Sequence, residues 1–88
     1  MARSSYVLIV DTKNLNDKAE SYCNVAEAWL DDNEGNDLSI AVRPAKEGES
    51  PGVYFVERFG IKNLGGDVPK HVAKLIKKAL EHAESSIN

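Results

Sequence analysis

The sequence has few of the residues on which small secreted folds and most enzyme sites depend. Its 88 residues include one cysteine, two histidines and three prolines. One cysteine excludes an internal disulfide and favours a reducing compartment. The longest apolar run, residues 7–10, is far shorter than the ~20 residues of a membrane-spanning helix or the ~7–15 of a signal-peptide core. We therefore expect a cytoplasmic protein with a single domain over residues 1–88.

Motifs that carry chemistry are also missing. No spacing of histidine, cysteine or carboxylate residues matches a metal site, and no glycine-rich loop matches a nucleotide site. Asp11 follows an apolar run, where α/β folds often present catalytic acids, but we interpret it as a turn residue that caps nearby amides. Cys23 lies on the apolar stripe of a predicted helix and is interpreted as structural. We predict no enzyme, no cofactor and no metal.

The net charge of −3 conceals two segments of opposite sign. Residues 14–50 carry nine acids against three bases, a balance of −6, whereas residues 51–88 carry six bases against four acids, a balance of +2. We predict that six of the acids form a protein-binding surface that attracts a basic partner. The alternative is that they are ordinary solvent-exposed residues of a helix and a loop. These acids are Glu20, Glu27, Asp31, Asp32, Glu34 and Asp37.

Hydrophobic periodicity predicts the element order β-α-β-β-α. Strands are predicted over residues 5–10, 38–43 and 52–59, a loop over 44–51 and a connection over 60–66. The first helix is predicted to begin at Asp17, with Glu20 completing a capping box, and to end at Gly35 in the left-handed conformation. The second is predicted over residues 67–83, with Pro69 in its first turn.

This order predicts an α/β fold of the two-layer α+β type. Because parallel crossovers are right-handed, both helices should cover one face of a three-stranded sheet. We predict that the third strand lies between the first and second, which gives a ferredoxin-like arrangement without its last strand. Such folds serve many unrelated functions. The first strand would lie at an edge, where its apolar run could pair with a partner or a second copy.

The last helix is strongly amphipathic, and its apolar stripe should pack on the sheet. The predicted core consists of Leu8, Tyr22, Trp29, Leu30, Ile40, Val42, Val72, Leu75, Ile76 and Leu80. The opposite face carries four lysines within a ~120° arc, which offers an alternative nucleic-acid-binding surface. These lysines are Lys70, Lys74, Lys77 and Lys78.

Small size and the lack of chemical motifs favour a non-enzymatic protein-binding module. We expect an inhibitor, adaptor or regulatory protein of phage or bacterial type that uses the acidic surface and the open sheet edge. The partner is expected to be another protein with a basic surface, with a homodimer as a further expectation. A nucleic-acid-binding module that uses the lysine face is the alternative function.

Overall fold

The computed structural model describes residues 3–87, which form two helices and a four-stranded mixed sheet. The strands are β1 (Ser4–Val10), β2 (Leu38–Pro44), β3 (Gly52–Glu57) and β4 (Gly60–Asn63). The helices are α1 (Ala19–Asn33), which follows a 3-10 turn at Asn16–Lys18, and α2 (Lys70–Ile87). The predicted α+β class is confirmed. The predicted number of strands was wrong by one, because β4 lies in the segment that we interpreted as a connection.

The strand order also differs from the prediction. The sheet runs β2-β1-β3-β4, with β1 parallel to β2 and antiparallel to β3. The third strand therefore does not lie between the first two, and the prediction of a ferredoxin-like order was wrong. Instead of forming a hairpin after β2, the chain crosses the end of β1, where the Ala45 N–H donates to the Val10 carbonyl (2.9 Å).

The central position of β1 explains its composition. Its residues Tyr6 and Leu8 are buried toward the helices, while Ile9, on the opposite face, is only 1% exposed. A central strand with neighbours on both sides, whose residues are buried or half-buried on both faces, is typically a continuous apolar run. The prediction that β1 lies at an open edge was therefore wrong, and the same apolar run is explained by a central strand.

One hydrophobic core lies between the helices and one face of the sheet. Both helices contribute to it, with Leu30 from α1 and Val72 from α2 fully buried, so the prediction that they cover the same face is confirmed. Within the core Tyr6 and Phe55 meet edge to face, with ring centroids 5.4 Å apart. Seven of the ten predicted core residues are buried. The other three, Trp29, Leu75 and Leu80, are half-buried at its border.

The helix ends agree with the prediction only in part. Lys18 rather than Asp17 precedes α1, no side chain caps it, and the predicted capping box is absent because a 3-10 turn occupies these residues. Gly35 closes the helix with φ +78°, as predicted. A turn delays the start of α2 to Lys70. Within residues 3–87, neither helix is both long and apolar enough to span a membrane.

Candidate protein-binding surfaces of the sheet

The β2 edge of the sheet is closed by one side chain of α1 and by one from the residue that directly follows this helix. The backbone N–H of Val42 donates to Oε1 of Glu27 (2.7 Å) and that of Ile40 donates to Oε2 of Glu34 (3.0 Å). Both amides point away from β1, toward the open side of β2 to which another strand could otherwise bind. Because α1 packs beside β2, Glu27 on the helix and Glu34 at its C-terminal end reach these donors. The two carboxylates occupy the positions that a pairing strand would need.

This arrangement divides the predicted acidic surface. Glu27 and Glu34 are half-buried and bind the protein's own backbone, so they are less available to a partner. The other predicted residues are exposed, namely Glu20, Asp31, Asp32 and Asp37. Periodicity placed Glu27 on α1, and Glu34 was predicted where the helix ends, but neither prediction could show that the two carboxylates face a strand edge.

The surroundings of Glu34 are partly apolar. Burial raises the pKa of the Glu34 carboxyl, and the nearby Asp31 carboxylate raises it further, while the hydrogen bond from Ile40 and the positive charge of Arg3 act in the opposite direction. Arg3 is held there because its Nε donates to the carbonyl of Asn36 (3.2 Å). The carboxyl thus carries a desolvation cost that its amide contact offsets in part.

The β4 edge, by contrast, is open. All four residues of β4 are exposed. All four residues pair with β3. The hydrogen bond from the Leu64 N–H to the Val53 carbonyl (3.0 Å) makes these two a hydrogen-bonded pair, so Lys62 and Gly60, at alternate positions, also direct their backbone groups toward β3. In an antiparallel ladder the intervening residues direct their backbone groups outward. Ile61 and Asn63 therefore present free N–H and C=O groups at this edge.

The turn between β3 and β4 adds exposed apolar side chains next to that edge. Phe59 is 93% exposed, and the centroid of the Phe59 ring lies 5.4 Å from the guanidinium carbon of Arg58. Val56 and Ile61, which are paired across the hairpin, are 39% and 43% exposed. This hairpin was not predicted from the sequence, although Gly60 directly after Phe59 was a signal for a tight turn.

A further surface is the sheet face opposite the helices. Directly paired residues share a face, so the strand registers place ten non-glycine residues on it. They are Ser5, Val7, Ile9, Ser39, Ala41, Arg43, Tyr54, Val56, Ile61 and Asn63. Most are half-buried or exposed, because no helix covers this side.

The charge of Arg43, the charged residue on this face, is neutralised by a residue of the β2–β3 loop. Two nitrogens of Arg43 bind the two carboxylate oxygens of Glu49 at 2.6 and 2.7 Å. This hydrogen bonding, together with the Lys46 amide, lowers the pKa of Glu49 to about 2. The Tyr54 hydroxyl donates to the carbonyl of Ser50 (2.7 Å). These contacts hold the loop against the sheet near the end of β1.

The predicted lysine face is exposed to solvent. All four of its residues lie on the outer side of α2, while Val72, Ile76, Ala79 and Ala83 form the buried stripe. Within the part of the chain that the structure describes, none of these lysines forms an ion pair. Because α1 packs on β2 and α2 packs beside α1, the acidic helix and the lysine-rich helix lie next to each other on the same face of the sheet.

The remaining candidate residues have structural roles. Oδ1 of Asp11 accepts from the Lys13 N–H (3.1 Å), which is the turn that the sequence predicted. Cys23 is 2% exposed and burial raises the pKa of its thiol, which suits a core residue. Among residues 3–87 no group of three or more His, Cys, Asp or Glu side chains could hold a metal ion.

Comparisons of this chain with models of known protein families, with curated proteins and with solved structures found no match.

Proposed function

We propose that this protein is a non-enzymatic binding module, acting as an inhibitor, adaptor or regulatory protein, that binds an extended segment of another protein along β4. The observation that supports this proposal is the difference between the two sheet edges. Glu27 and Glu34 close the β2 edge, whereas β4 is exposed along its whole length. Soluble proteins usually protect both edges, so an edge left open beside exposed apolar residues indicates a binding surface.

The backbone of β4 provides the main contact. A partner strand would pair with the free N–H and C=O groups of Ile61 and Asn63 and extend the sheet. On the face away from the helices, an apolar partner residue would pack beside Ile61. On the helix side it would meet Lys62, which favours a carboxylate directly opposite. The preferred partner is therefore an extended segment that alternates apolar residues with an acid.

Lys62 also disfavours pairing of β4 with its own copy. In the antiparallel register centred on this residue, the two Lys62 ammonium groups would face each other, which is destabilising. The exposed carboxylates of α1, such as Asp31 and Asp32, remain in the proposal as a second surface. They would steer a partner that also carries basic patches, as the sequence analysis expected.

A peptide selection tests this proposal. Random ten-residue segments displayed on phage are selected against the protein alone. Their binding is then compared with binding to Ile61→Pro, a change that removes an outward amide but no β3–β4 hydrogen bond. We expect selected peptides to alternate apolar and acidic residues and to bind roughly tenfold or more weakly to Ile61→Pro. Lys62→Glu should shift the selection toward basic peptides, while the control Lys74→Glu, with the same charge change on α2, should not.

The result would contradict the proposal if no selected peptide distinguishes the protein from Ile61→Pro and if Lys62→Glu leaves the charge preference unchanged. Circular dichroism and thermal unfolding of each variant verify that the fold is retained. Because Lys62→Glu alters no backbone hydrogen bond, it remains informative if the proline variant fails to fold.

Nucleic-acid binding is the second candidate, and the observation that favours it is the exposed lysine face of α2. Phosphate contacts by these residues would make affinity fall steeply with salt and would depend little on base sequence. Fluorescence anisotropy with labelled single- and double-stranded DNA and RNA at low salt measures this. If the face binds phosphates, the double change Lys74→Ala and Lys78→Ala weakens binding to every probe, whereas no binding at low salt would eliminate this candidate.

A further inference from the structure

A cavity of about 340 Å³ lies where the end of β1, the first turns of α1 and the last turns of α2 meet. It is at the carboxyl end of β1, which is parallel to β2 on one side and antiparallel to β3 on the other. Clefts outside the carboxyl ends of strands, at points where the topology of the sheet changes, are common ligand sites. The volume is near the lower limit for ligand pockets, so the cavity suits a small molecule.

Tyr22, in the first turns of α1, carries a hydroxyl that is accessible from this cavity. Only 6% of the residue is exposed, yet its hydroxyl forms no hydrogen bond among residues 3–87. Every fully buried side-chain nitrogen or oxygen of these residues has a partner, so the unpaired oxygen is not sealed inside the core, and Tyr22 lines the cavity. A tyrosine with a buried ring usually has a partner for its hydroxyl, and here a ligand can provide it.

The polar lining around this hydroxyl is negatively charged. Asp11, Asn14 and Glu84 line the cavity, and no lysine, arginine or histidine of the described residues does so. Oδ1 of Asp11 accepts from the Lys13 N–H (3.1 Å), which leaves Oδ2 for a ligand. Burial and the negative charge of Glu84 raise the pKa of the Tyr22 hydroxyl, so this group is protonated at neutral pH and its oxygen can accept a hydrogen bond.

The rest of the lining is apolar. Val10, Leu15 and Ile87 line the cavity and pack against the core. The cavity therefore combines an apolar wall with oxygen acceptors from two carboxylates and a phenol. An ammonium group has three donors and one positive charge, which matches these three groups in number and sign. A metal ion matches less well, because within residues 3–87 no group of three or more His, Cys, Asp or Glu side chains could hold one.

We propose that this cavity binds a primary ammonium group attached to an apolar chain. The ammonium lies between the carboxylates of Asp11 and Glu84 and donates to the Tyr22 oxygen, while the chain packs on the apolar wall. Two sources share this chemistry, namely a free alkylamine and the lysine side chain of a peptide. The site does not involve β4, so it is independent of the proposed strand addition.

Nuclear magnetic resonance titration of the isotope-labelled protein tests the site. The ligand is n-hexylamine, which is protonated at about pH 7, and it is compared with uncharged hexanol and with negatively charged hexanoate. We expect hexylammonium to bind with a Kd of about 1 mM and to shift the amide signals of the residues that line the cavity. Hexanol should bind roughly tenfold more weakly, and hexanoate should not bind, because the two carboxylates repel it.

Two variants test the named groups. Tyr22→Phe removes the hydroxyl but retains the buried ring, so affinity for hexylammonium should fall several-fold while thermal stability changes little. Glu84→Gln retains the shape of the side chain without its charge and should weaken binding roughly tenfold. The matched control is Glu81→Gln, the same change at an exposed position of α2 that does not line the cavity, and it should bind like the wild type.

A titration with Nα-acetyl-lysine amide distinguishes the two sources. If this compound binds with the same dependence on Tyr22 and Glu84, the site accepts the lysine side chain of a peptide. If hexylammonium binds and the lysine compound does not, the ligand is a free amine.

Three results would overturn the proposal. The first is that hexylammonium at up to about 20 mM leaves the signals of the lining residues unshifted. The second is that hexanol binds as tightly as hexylammonium. The third is that Glu81→Gln weakens binding as much as Glu84→Gln, since the general charge of α2 would then attract the amine. The first two are measured on the wild-type chain, so they remain decisive if a variant fails to fold.

Discussion

Removing the carboxylate of Glu27 should open the edge of the sheet that the native protein closes. In the structure Glu27 accepts a 2.7 Å hydrogen bond from the Val42 amide. Glu27→Ala deletes this acceptor and leaves an edge amide without a protein partner. Glu27→Gln retains a side-chain oxygen at the same position but removes the charge. Glu20→Ala is the matched control, because Glu20 is exposed on the same helix and its carboxylate does not contact a strand.

The expected loss of stability follows from this geometry. A hydrogen bond to a charged acceptor contributes about 1.5–3 kcal/mol when buried. Glu27 is half-buried, so water can replace part of the bond, and alanine has a slightly higher helix propensity than glutamate. We expect a net loss of about 1 kcal/mol for Glu27→Ala, which shifts the melting temperature of a domain of this size by roughly 4–8 °C.

Urea denaturation and sedimentation velocity measure the two consequences. Glu27→Ala should be less stable than Glu20→Ala, and Glu27→Gln should lie between Glu27→Ala and the wild type. Combining Glu27→Ala with Glu34→Ala exposes two adjacent edge donors, so we expect assemblies larger than those of the wild type, in which β4 of one copy pairs with β2 of the next. If Glu27→Ala matches Glu20→Ala in stability and the double variant does not associate further, the glutamates do not protect this edge.

Two further predictions concern the core and the β2–β3 loop. Ile76→Ala should lower the free energy of unfolding by about 2–5 kcal/mol, because Ile76 is buried. Leu75→Ala should lower it by less, since Leu75 is half-buried. Chemical denaturation compares the two variants, and equal losses would contradict the described packing of α2. Hydrogen bonds from Arg43 and from the Lys46 amide lower the pKa of Glu49 from its ordinary 4.5 to about 2. The ionised Arg43–Glu49 pair therefore stabilises the fold above pH 4.5, and this contribution is lost as the pH falls through the folded pKa of Glu49. The stability difference between the wild type and Glu49→Gln should therefore shrink between about pH 4.5 and pH 2, and a difference independent of pH would refute this.

The candidate site shows how far sequence reasoning can reach. The exposed lysines of α2 and the position of Glu27 on α1 follow from a 3.6-residue period, because neighbouring side chains on a helix are set by local geometry. That Glu27 and Glu34 bind amides of β2, 15 and 6 residues away, depends on how α1 packs beside the strand. The β3–β4 hairpin was missed because its second strand has four residues, all exposed, and so lacks the hydrophobic alternation on which strand prediction relies.

The sequence by itself determined the class of the fold, the first three strands, the two helices and the buried stripe of each helix. These features arise from periodicity and turn chemistry within short segments, where each residue's preference acts on its neighbours. The tertiary structure alone decided the strand order. The apolar run of β1 suits both a central strand and an edge that binds a partner, and the difference lies in whether the chain after Pro44 folds back or crosses over. That choice depends on contacts such as the one between Ala45 and Val10, whose residues are far apart in the chain, and it determines which edge of the sheet remains open.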